Sequence, residues 1–183
     1  MAGRVRRTNA EIDNTVMAEL EKLVIKSGFG NVLVTELMAN ARLDPPVFYR
    51  RYGSIDNLYD KLAQRYDFWI NNTIDTSELS VLGPKLFFAK TLKSLYRELC
   101  NNEVMQKLLL WEMSDNETTR RTAQIRDLMN MNLVEYYDML FKPAHINIRS
   151  IIALLISGIY YLILHKGRAP FCKINFDTSE GEA

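Results

Sequence analysis

The chain has 183 residues, of which 48% are hydrophobic and 25% are charged, so its composition excludes a disordered polar chain and allows a substantial core. The formal net charge is +1, which favours no class of partner. Only the first 51 residues are slightly basic, with eight Lys and Arg against six Asp and Glu, and this excess begins with Arg4, Arg6 and Arg7.

Apolar residues recur at helical spacing along nearly the whole chain, and no useful stretch alternates as a strand would. A first helix is predicted over about 8–27, because Thr8 and Glu11 have the spacing of a capping box and Gly28 suits a helix end. Two short helices are predicted over 34–41 and 45–52. A fourth is predicted to follow the cap residue Ser54 and to run to about 74.

Four more helices are predicted in the second half. Pro84 suits the first turn of a fifth helix that reaches about Cys100. A sixth is predicted over 103–113, a seventh over 118–141 and an eighth over 147–166. The most apolar segment, Ile151–Leu164, has 14 residues, fewer than the about 20 that a membrane span needs. It is therefore predicted to be a buried helix of a soluble, cytoplasmic protein that does not bind membranes.

The three N-terminal helices have the order of a helix-turn-helix unit, in which the last short helix enters the major groove of DNA. On a helix over 45–52, Phe48 and Tyr52 share one face and are expected to pack inward. Tyr49 and Arg50 are expected to point outward. Arginine can read guanine or hold phosphate, and a tyrosine hydroxyl commonly holds phosphate, so this outer face is a candidate DNA-binding surface.

The same region resembles the TetR family of bacterial repressors, most strongly over Gly28–Leu58. The family pattern is a short helix ending Ile-Ala-x-x-Ala-Gly-Val-Ser, two variable positions, a small or β-branched residue, an aliphatic or aromatic residue, a near-fixed Tyr, a basic pair, Phe, and Ser-Lys-Glu-x-Leu. The matching residues follow without gaps: Leu37-Met38-Ala39-Asn40-Ala41-Arg42-Leu43-Asp44, Pro45-Pro46-Val47-Phe48-Tyr49-Arg50-Arg51-Tyr52 and Gly53-Ser54-Ile55-Asp56-Asn57-Leu58.

This resemblance implies an all-α fold with two parts. A helix-turn-helix DNA-binding domain is expected over 1–53, and a helical-bundle domain for ligand binding and dimerisation over 54–183. It also implies a mechanism, in which a homodimer binds a palindromic double-stranded DNA operator and a small-molecule effector releases it. The fourth helix is expected to swing as the effector binds.

The candidate site residues fall into three groups. The predicted DNA contacts are Arg4, Arg6, Arg7, Thr35, Arg42, Asp44, Pro45, Pro46, Val47, Tyr49, Arg50 and Arg51. The candidate walls of an effector pocket are Trp69, Phe88, Tyr96, Trp111, Met129 and Tyr137. The dimer interface is expected at Leu154, Leu155, Gly158, Tyr161 and Leu162, where Gly158 would allow helices to approach closely.

Three residues depart from the family pattern. Met38 replaces a small Ala, Arg42 replaces a turn Gly that often needs a positive φ, and Ile55 replaces a basic residue that would contact phosphate. They leave open an alternative function, a helical sensor or interaction protein with weakened or lost operator binding.

No catalytic or metal site is predicted. The two histidines, His145 and His165, lack the spacing to each other or to Cys100 and Cys172 that a metal site needs. Serine, cysteine and histidine residues form no credible triad, and no paired carboxylates converge. We therefore expect neither a cofactor nor enzymatic activity, and a small helical enzyme is the remotest alternative.

Overall fold

A computed structural model describes residues 7–73, 75–114, 117–178 and 181, with the backbone alone for 67–73 and 76. These residues form eight α-helices. They are α1 (Asn9–Ser27), α2 (Val34–Asn40), α3 (Pro45–Tyr52), α4 (Ile55–Thr73), α5 (Leu79–Asn101), α6 (Glu103–Glu112), α7 (Glu117–Phe141) and α8 (Ile148–His165). An isolated bridge between Phe171 and Ile174 is the only extended pairing within the described ranges. The predicted all-α fold is confirmed.

Local signals explain the ends of the first helices. The Thr8 side chain accepts a hydrogen bond from the Glu11 N–H, and the Glu11 carboxylate accepts one from the Thr8 N–H, so the predicted capping box is present. At the end of α3, Gly53 has a φ of 76°, a conformation that favours glycine, and its N–H donates to the Tyr49 carbonyl.

The turn between α2 and α3 has the backbone that its sequence position suggested. Arg42 has a φ of 54°, in the left-handed region that costs a non-glycine residue about 1 kcal/mol. The following N–H, of Leu43, donates to the Met38 carbonyl at 2.9 Å and closes the end of α2. Met38, which stands where the resembled pattern has a small alanine, is fully buried.

Helix α5 begins earlier than predicted. The chain turns helically from Leu79, but Gly83 has a non-helical backbone with a φ of 73°, and the long straight part of the helix follows from Pro84. Proline suits this place because it has no N–H to donate to the preceding turn. The predicted start at Pro84 therefore marks a kink inside the helix.

Two hydrophobic clusters hold the described helices together. The larger takes residues from α1 to α4 and also from α5, α6 and α8. The smaller lies between α5, α7 and α8, around Phe87, Tyr137, Phe141, Ile148 and Ile152. Because the larger cluster crosses the predicted boundary between residues 53 and 54, the helix-turn-helix unit shares its core with the bundle. The boundary itself stays a prediction.

An aromatic contact joins these two parts. Phe29, in a short 3-10 helix (Phe29–Asn31) after α1, is 2% exposed. Its ring stacks on Trp111 of α6, with centroids 4.8 Å apart, and meets the Tyr59 ring edge-on at 5.0 Å. The Tyr59 hydroxyl also donates to the Phe29 carbonyl. We call Phe29, Tyr59 and Trp111 the aromatic junction.

In the single chain most of α8 is exposed, so its predicted burial depends on the dimer that is expected to form on the same helix. Only 17% of this helix is buried, and Leu154, Leu155 and Tyr161 are 74%, 42% and 48% exposed. One chain has too little surface to cover a helix that is apolar on nearly every side. By length and composition alone α8 could also cross a membrane, although Ile148, Ile152 and Ile163 are buried against the other helices.

Phe29→Ala should destabilise the protein by about 3–5 kcal/mol, because it removes a buried ring from the aromatic junction and leaves a cavity. Urea unfolding followed by circular dichroism would measure the loss. Leu33→Ala is the matched control, since Leu33 lies nearby but is 62% exposed, and it should cost less than about 0.5 kcal/mol. Equal losses in the two variants would show that the junction does not join the two parts.

Candidate functional site

Helix α3 presents two different faces. Phe48 and Tyr52 are 0% and 5% exposed and lie in the larger core cluster. Tyr49 is 59% exposed, and Arg50 is also exposed. The short helix therefore has one face fixed to the protein and one aromatic and cationic face in solvent.

The fixed face is also bonded to α1. Arg51 reaches Asp13 at 3.1 Å and donates to the Asn9 side chain and carbonyl at 2.9 Å, and the Tyr52 hydroxyl donates to Asp13 at 2.6 Å. Partial burial would raise the pKa of Asp13, but the hydrogen bonds from Tyr52 and Arg51 and the arginine charge lower it overall. Burial, together with the bond to Asp13, raises the pKa of Tyr52 to about 12.

Arg51 was predicted to contact DNA, and this contact stays untested. Its guanidinium is turned toward α1, where its side chain is only 19% exposed. The local spacing on α3 could not reveal this partner, because Asp13 lies 38 residues earlier. Arg50 and Tyr49 thus remain the exposed polar side chains at the centre of the helix.

Asp44 occupies the N-cap position of α3. Its backbone is extended, but its side chain forms no capping hydrogen bond. The reason is that Pro45 and Pro46 have no N–H, and the next N–H, of Val47, donates to the Asp44 carbonyl at 2.9 Å. The two prolines therefore start the helix by their fixed φ alone.

The other predicted DNA contacts surround this helix. Thr35, Arg42, Asp44, Pro45 and Pro46 are exposed, and Val47 is half-buried against the core. Arg7 donates to the Ala41 carbonyl at 3.1 Å, which places the start of the chain beside the turn before α3. Arg4 and Arg6 lie outside the described residues.

A cavity of about 420 Å³ lies between α5, α7 and α8. Of the predicted wall residues, Phe88 and Tyr137 line it, and the Tyr137 hydroxyl shares a hydrogen bond with Thr91. Trp111 instead belongs to the aromatic junction, and Tyr96 packs against the larger core cluster. Met129 is half-buried on α7 and does not line this cavity, and the side chain of Trp69 lies outside the described set.

The cavity has polar wall residues that the sequence did not single out. Arg126 of α7 is 9% exposed and lies 3.3 Å from the Glu112 carboxylate at the end of α6. One turn further along α7, the Asn130 amide donates to the Arg126 carbonyl at 2.9 Å. The sequence feature that could have identified these wall residues is helical spacing. Thr122, Arg126 and Asn130 follow one another at intervals of four, on the face of α7 that also carries Tyr137.

Helix α4 is bonded to the same part of α7. Asp60 of α4 lies 2.6 Å from the Arg121 guanidinium and accepts a hydrogen bond from the Thr122 hydroxyl at 3.0 Å. Thr122 is fully buried and the Asp60 side chain is 16% exposed, so this hydrogen bond is partly buried. The helix that follows α3 is therefore tied to the α7 segment that begins the cavity wall at Ala123.

The predicted interface residues share one side of α8. Leu154, Leu155 and Tyr161 are exposed, while Gly158 and Leu162 are half-buried. A Cβ added at Gly158 would meet nothing within 4 Å. This apolar side of the helix is therefore uncovered in the single chain.

The described residues contain no group of three or more His, Cys, Asp and Glu side chains arranged to hold a metal ion.

Asp13→Asn should lower the free energy of unfolding by about 1 kcal/mol at pH 7, because it removes the charge that Arg51 and Tyr52 face at a partly exposed site. The folded-state pKa of Asp13 is lowered. Its contribution is therefore present above the unfolded value of about 3.9 and is lost as the pH falls through the folded-state value.

Urea unfolding of wild type and variant over a pH series from 7 to 3 would measure both effects. Asp44→Asn is the matched control, because Asp44 is exposed and makes no capping bond, and it should show no such pH-dependent difference. A deficit in Asp13→Asn that stays constant down to pH 3 would contradict the assignment.

Comparisons with known proteins address the fold. No family model matches the sequence, and no curated protein matches it. The solved structure of a protein assigned to the TetR family of transcriptional regulators, from Vibrio parahaemolyticus, matches with a TM-score of 0.64. The match covers 83% of this chain and 84% of that one at 14% sequence identity. The chain therefore has the fold of a TetR-family transcriptional regulator.

Proposed function

We propose that this chain is a DNA-binding transcriptional regulator, a repressor that binds a palindromic operator as a homodimer and is released by a small-molecule effector. The observation that carries the proposal is the two-faced α3. Tyr49 and Arg50 are presented to solvent on a helix whose other face is locked to the core and to α1. Such a rigid, exposed helix in a helix-turn-helix unit is suited to the major groove.

Few side chains on this surface can recognise DNA through hydrogen bonds. Pro45 and Pro46 at the tip of α3 have no side-chain donor, so they can contribute shape and contact with a thymine methyl group. Arg50 can bind guanine or phosphate, and Tyr49 can donate to phosphate. Arg42, exposed in the preceding turn, supplies a further cation beside them.

The effector response is proposed for the cavity between α5, α7 and α8. An effector changes DNA binding only if it binds the DNA-incompetent conformation better than the competent one. Two contacts connect the cavity region to α4 and to the helix-turn-helix unit, and they can transmit that conformational change. Asp60 ties α4 to α7, and Trp111, next to the cavity residue Glu112, packs on Phe29 of the helix-turn-helix unit.

Dimerisation is proposed through α8. The uncovered side of this helix carries Leu154, Leu155 and Tyr161, and burying such apolar surface is the main driving force for association. Two copies related by a two-fold axis would cover it with the same patch on each subunit. The dimer would then present two α3 helices to the two half-sites of a palindromic operator. Such a regulator would act in the cytoplasm.

A second candidate function is a sensor or interaction protein that keeps the fold and has lost operator binding. It is favoured by the strained Arg42, with a φ of 54°, and by Ile55, which is half-buried against the core where the family has a cation for phosphate. Two experiments distinguish the regulator from the sensor. Duplexes that bind the protein are selected from a random pool, and the affinity for the most enriched duplex is then measured as a function of salt concentration. A specific complex that weakens steeply with salt supports the regulator, and no enrichment supports the sensor.

Arg50→Ala should weaken binding to the selected duplex by about tenfold or more, the loss of about 1.4 kcal/mol expected for one good base or phosphate contact. Its melting temperature should change little, because Arg50 is exposed. Fluorescence anisotropy would give both affinities. Arg97→Ala, at an exposed arginine on α5, is the matched control and should bind as wild type does. Unchanged binding by Arg50→Ala would mean that the DNA-facing side of α3 is misassigned.

Leu154→Glu should convert the dimer to monomer, because it places a charge in the proposed interface while leaving the fold of the single chain intact at a side chain that is 74% exposed. Sedimentation equilibrium would report the mass. Val81→Glu makes the same kind of change at an 84% exposed position in α5 and should leave the dimer intact. A dimer that survives Leu154→Glu, and also Gly158→Trp, would place the interface elsewhere.

A further inference from the structure

The ion pair between Glu112 and Arg126 stands between two cavities. The first is the 420 Å³ cavity described above, and the second, of about 650 Å³, lies between α6, α7 and α8. The residues that line both are Glu112, Ala123, Arg126, Ser157 and Tyr160. A molecule in either cavity therefore reaches the same pair of opposite charges.

This pair is buried, with side-chain exposures of 9% for Glu112 and 11% for Arg126. Withdrawing two charges from water costs free energy that their mutual attraction recovers only in part, so a buried pair is weak evidence for a purely stabilising role. Arg126 Nη1 lies 3.3 Å from Glu112 Oε2, a separation that is long for a charge-assisted hydrogen bond between these two atoms. A carboxylate with better geometry could compete for the arginine.

The two partners are not equally well placed. Arg126 lies inside α7, where its Nη1 also approaches the Met105 sulfur at 4.0 Å. Glu112 is the last residue of α6, and a carboxylate at a helix C-terminus faces the negative end of the helix dipole. Glu112 is therefore the partner more easily displaced, and Arg126 is the fixed charge to which a ligand can bind.

The surroundings favour an anion with an apolar body. Among the described residues that line the second cavity, Glu112 is the single acidic one, against Arg126 and Arg168. In the first cavity Arg149 is paired with Asp138 at 3.3 Å, and Asp127 is exposed to solvent, where its charge is screened. The rest of that wall is largely apolar, with Phe88, Leu92, Leu95, Leu133, Val134, Ile152 and Ile156.

We propose that the cavity between α5, α7 and α8 binds an amphipathic carboxylate, whose head group replaces Glu112 on Arg126 and whose apolar body lies against Phe88 and Ile152. A volume of 420 Å³ is in the range of small-molecule sites. Release of Glu112 frees the end of α6 next to Trp111, the α6 residue of the aromatic junction. The inference deepens the proposed function, since it names the chemical class of the effector, but the binding step itself does not require DNA.

Calorimetric titration of the full chain with decanoate, and with 1-decanol as the uncharged analogue, tests the proposal. Wild type should bind decanoate at least tenfold more tightly than decanol. Glu112→Gln, which removes the competing carboxylate, should tighten decanoate binding by about tenfold and leave decanol unchanged. Equal binding of the two compounds to wild type, or no decanoate binding up to its solubility limit, overturns the proposal.

Arg126→Gln should abolish the preference for decanoate. Because that variant leaves Glu112 buried without its arginine and could fail to fold, the double variant Glu112→Gln with Arg126→Gln provides the same test without a lone buried charge. Arg149→Gln is the matched control on the same cavity wall and should keep the wild-type preference. A double variant that still prefers decanoate overturns the assignment of Arg126.

DNA binding, measured separately without decanoate, keeps the two proposals apart. Decanoate binding through Arg126 in a chain that selects no duplex would support this site and reject the proposed regulator. A chain that binds an operator but binds decanoate and decanol equally well would support the proposed regulator and reject this site.

Discussion

The stacking of Phe29 on Trp111 is the contact on which the arrangement of the two parts depends. Phe29 follows α1 and precedes α2, so it belongs to the helix-turn-helix unit, whereas Trp111 lies near the end of α6. Tyr59, at the start of α4, completes the contact by its ring and by its hydrogen bond to the Phe29 carbonyl. Phe29 and Tyr59 are buried in one core cluster and Trp111 packs against it, so apolar packing holds α3 in its position relative to the bundle.

Because of this placement, the end of α6 contacts both the helix-turn-helix unit and the cavity region. Trp111 faces the helix-turn-helix unit, while the next residue, Glu112, faces Arg126 and the cavities. A packed core resists gradual deformation, so a change in the Glu112 contact would be passed on as a shift between discrete packings. The hydrogen bond between Asp60 and Thr122 joins α4 to α7 close by, and so offers a second path in the same direction.

Sequence reasoning located the elements with local signals well and missed partners that are distant in sequence. The bounds predicted for α3, 45–52, match the observed Pro45–Tyr52, and Thr8 and Glu11 indicated the start of α1, because prolines and capping boxes act within one turn of helix. Arg51 was predicted to contact DNA, which stays untested, and its spacing on α3 could not show that Asp13 of α1 lies within reach of it. Arg126 and Glu112 were missed for the same reason, since which residues meet across α6 and α7 is decided by tertiary packing.

Helix α8 was predicted as an apolar helix, and its predicted burial is not reached within one chain. Its composition implied burial, yet Ile151, Leu154, Leu155, Gly158 and Tyr161 leave an uncovered stripe at spacings of three and four. A helix surrounded by lipid on all sides would not pack against the rest of the protein. In α8, by contrast, Ile148, Ile152 and Ile163 pack in the two hydrophobic clusters. The open space at Gly158, inside the stripe, fits the close approach of a second helix. These features fit the proposed dimer, in which a second copy of the chain would cover this face.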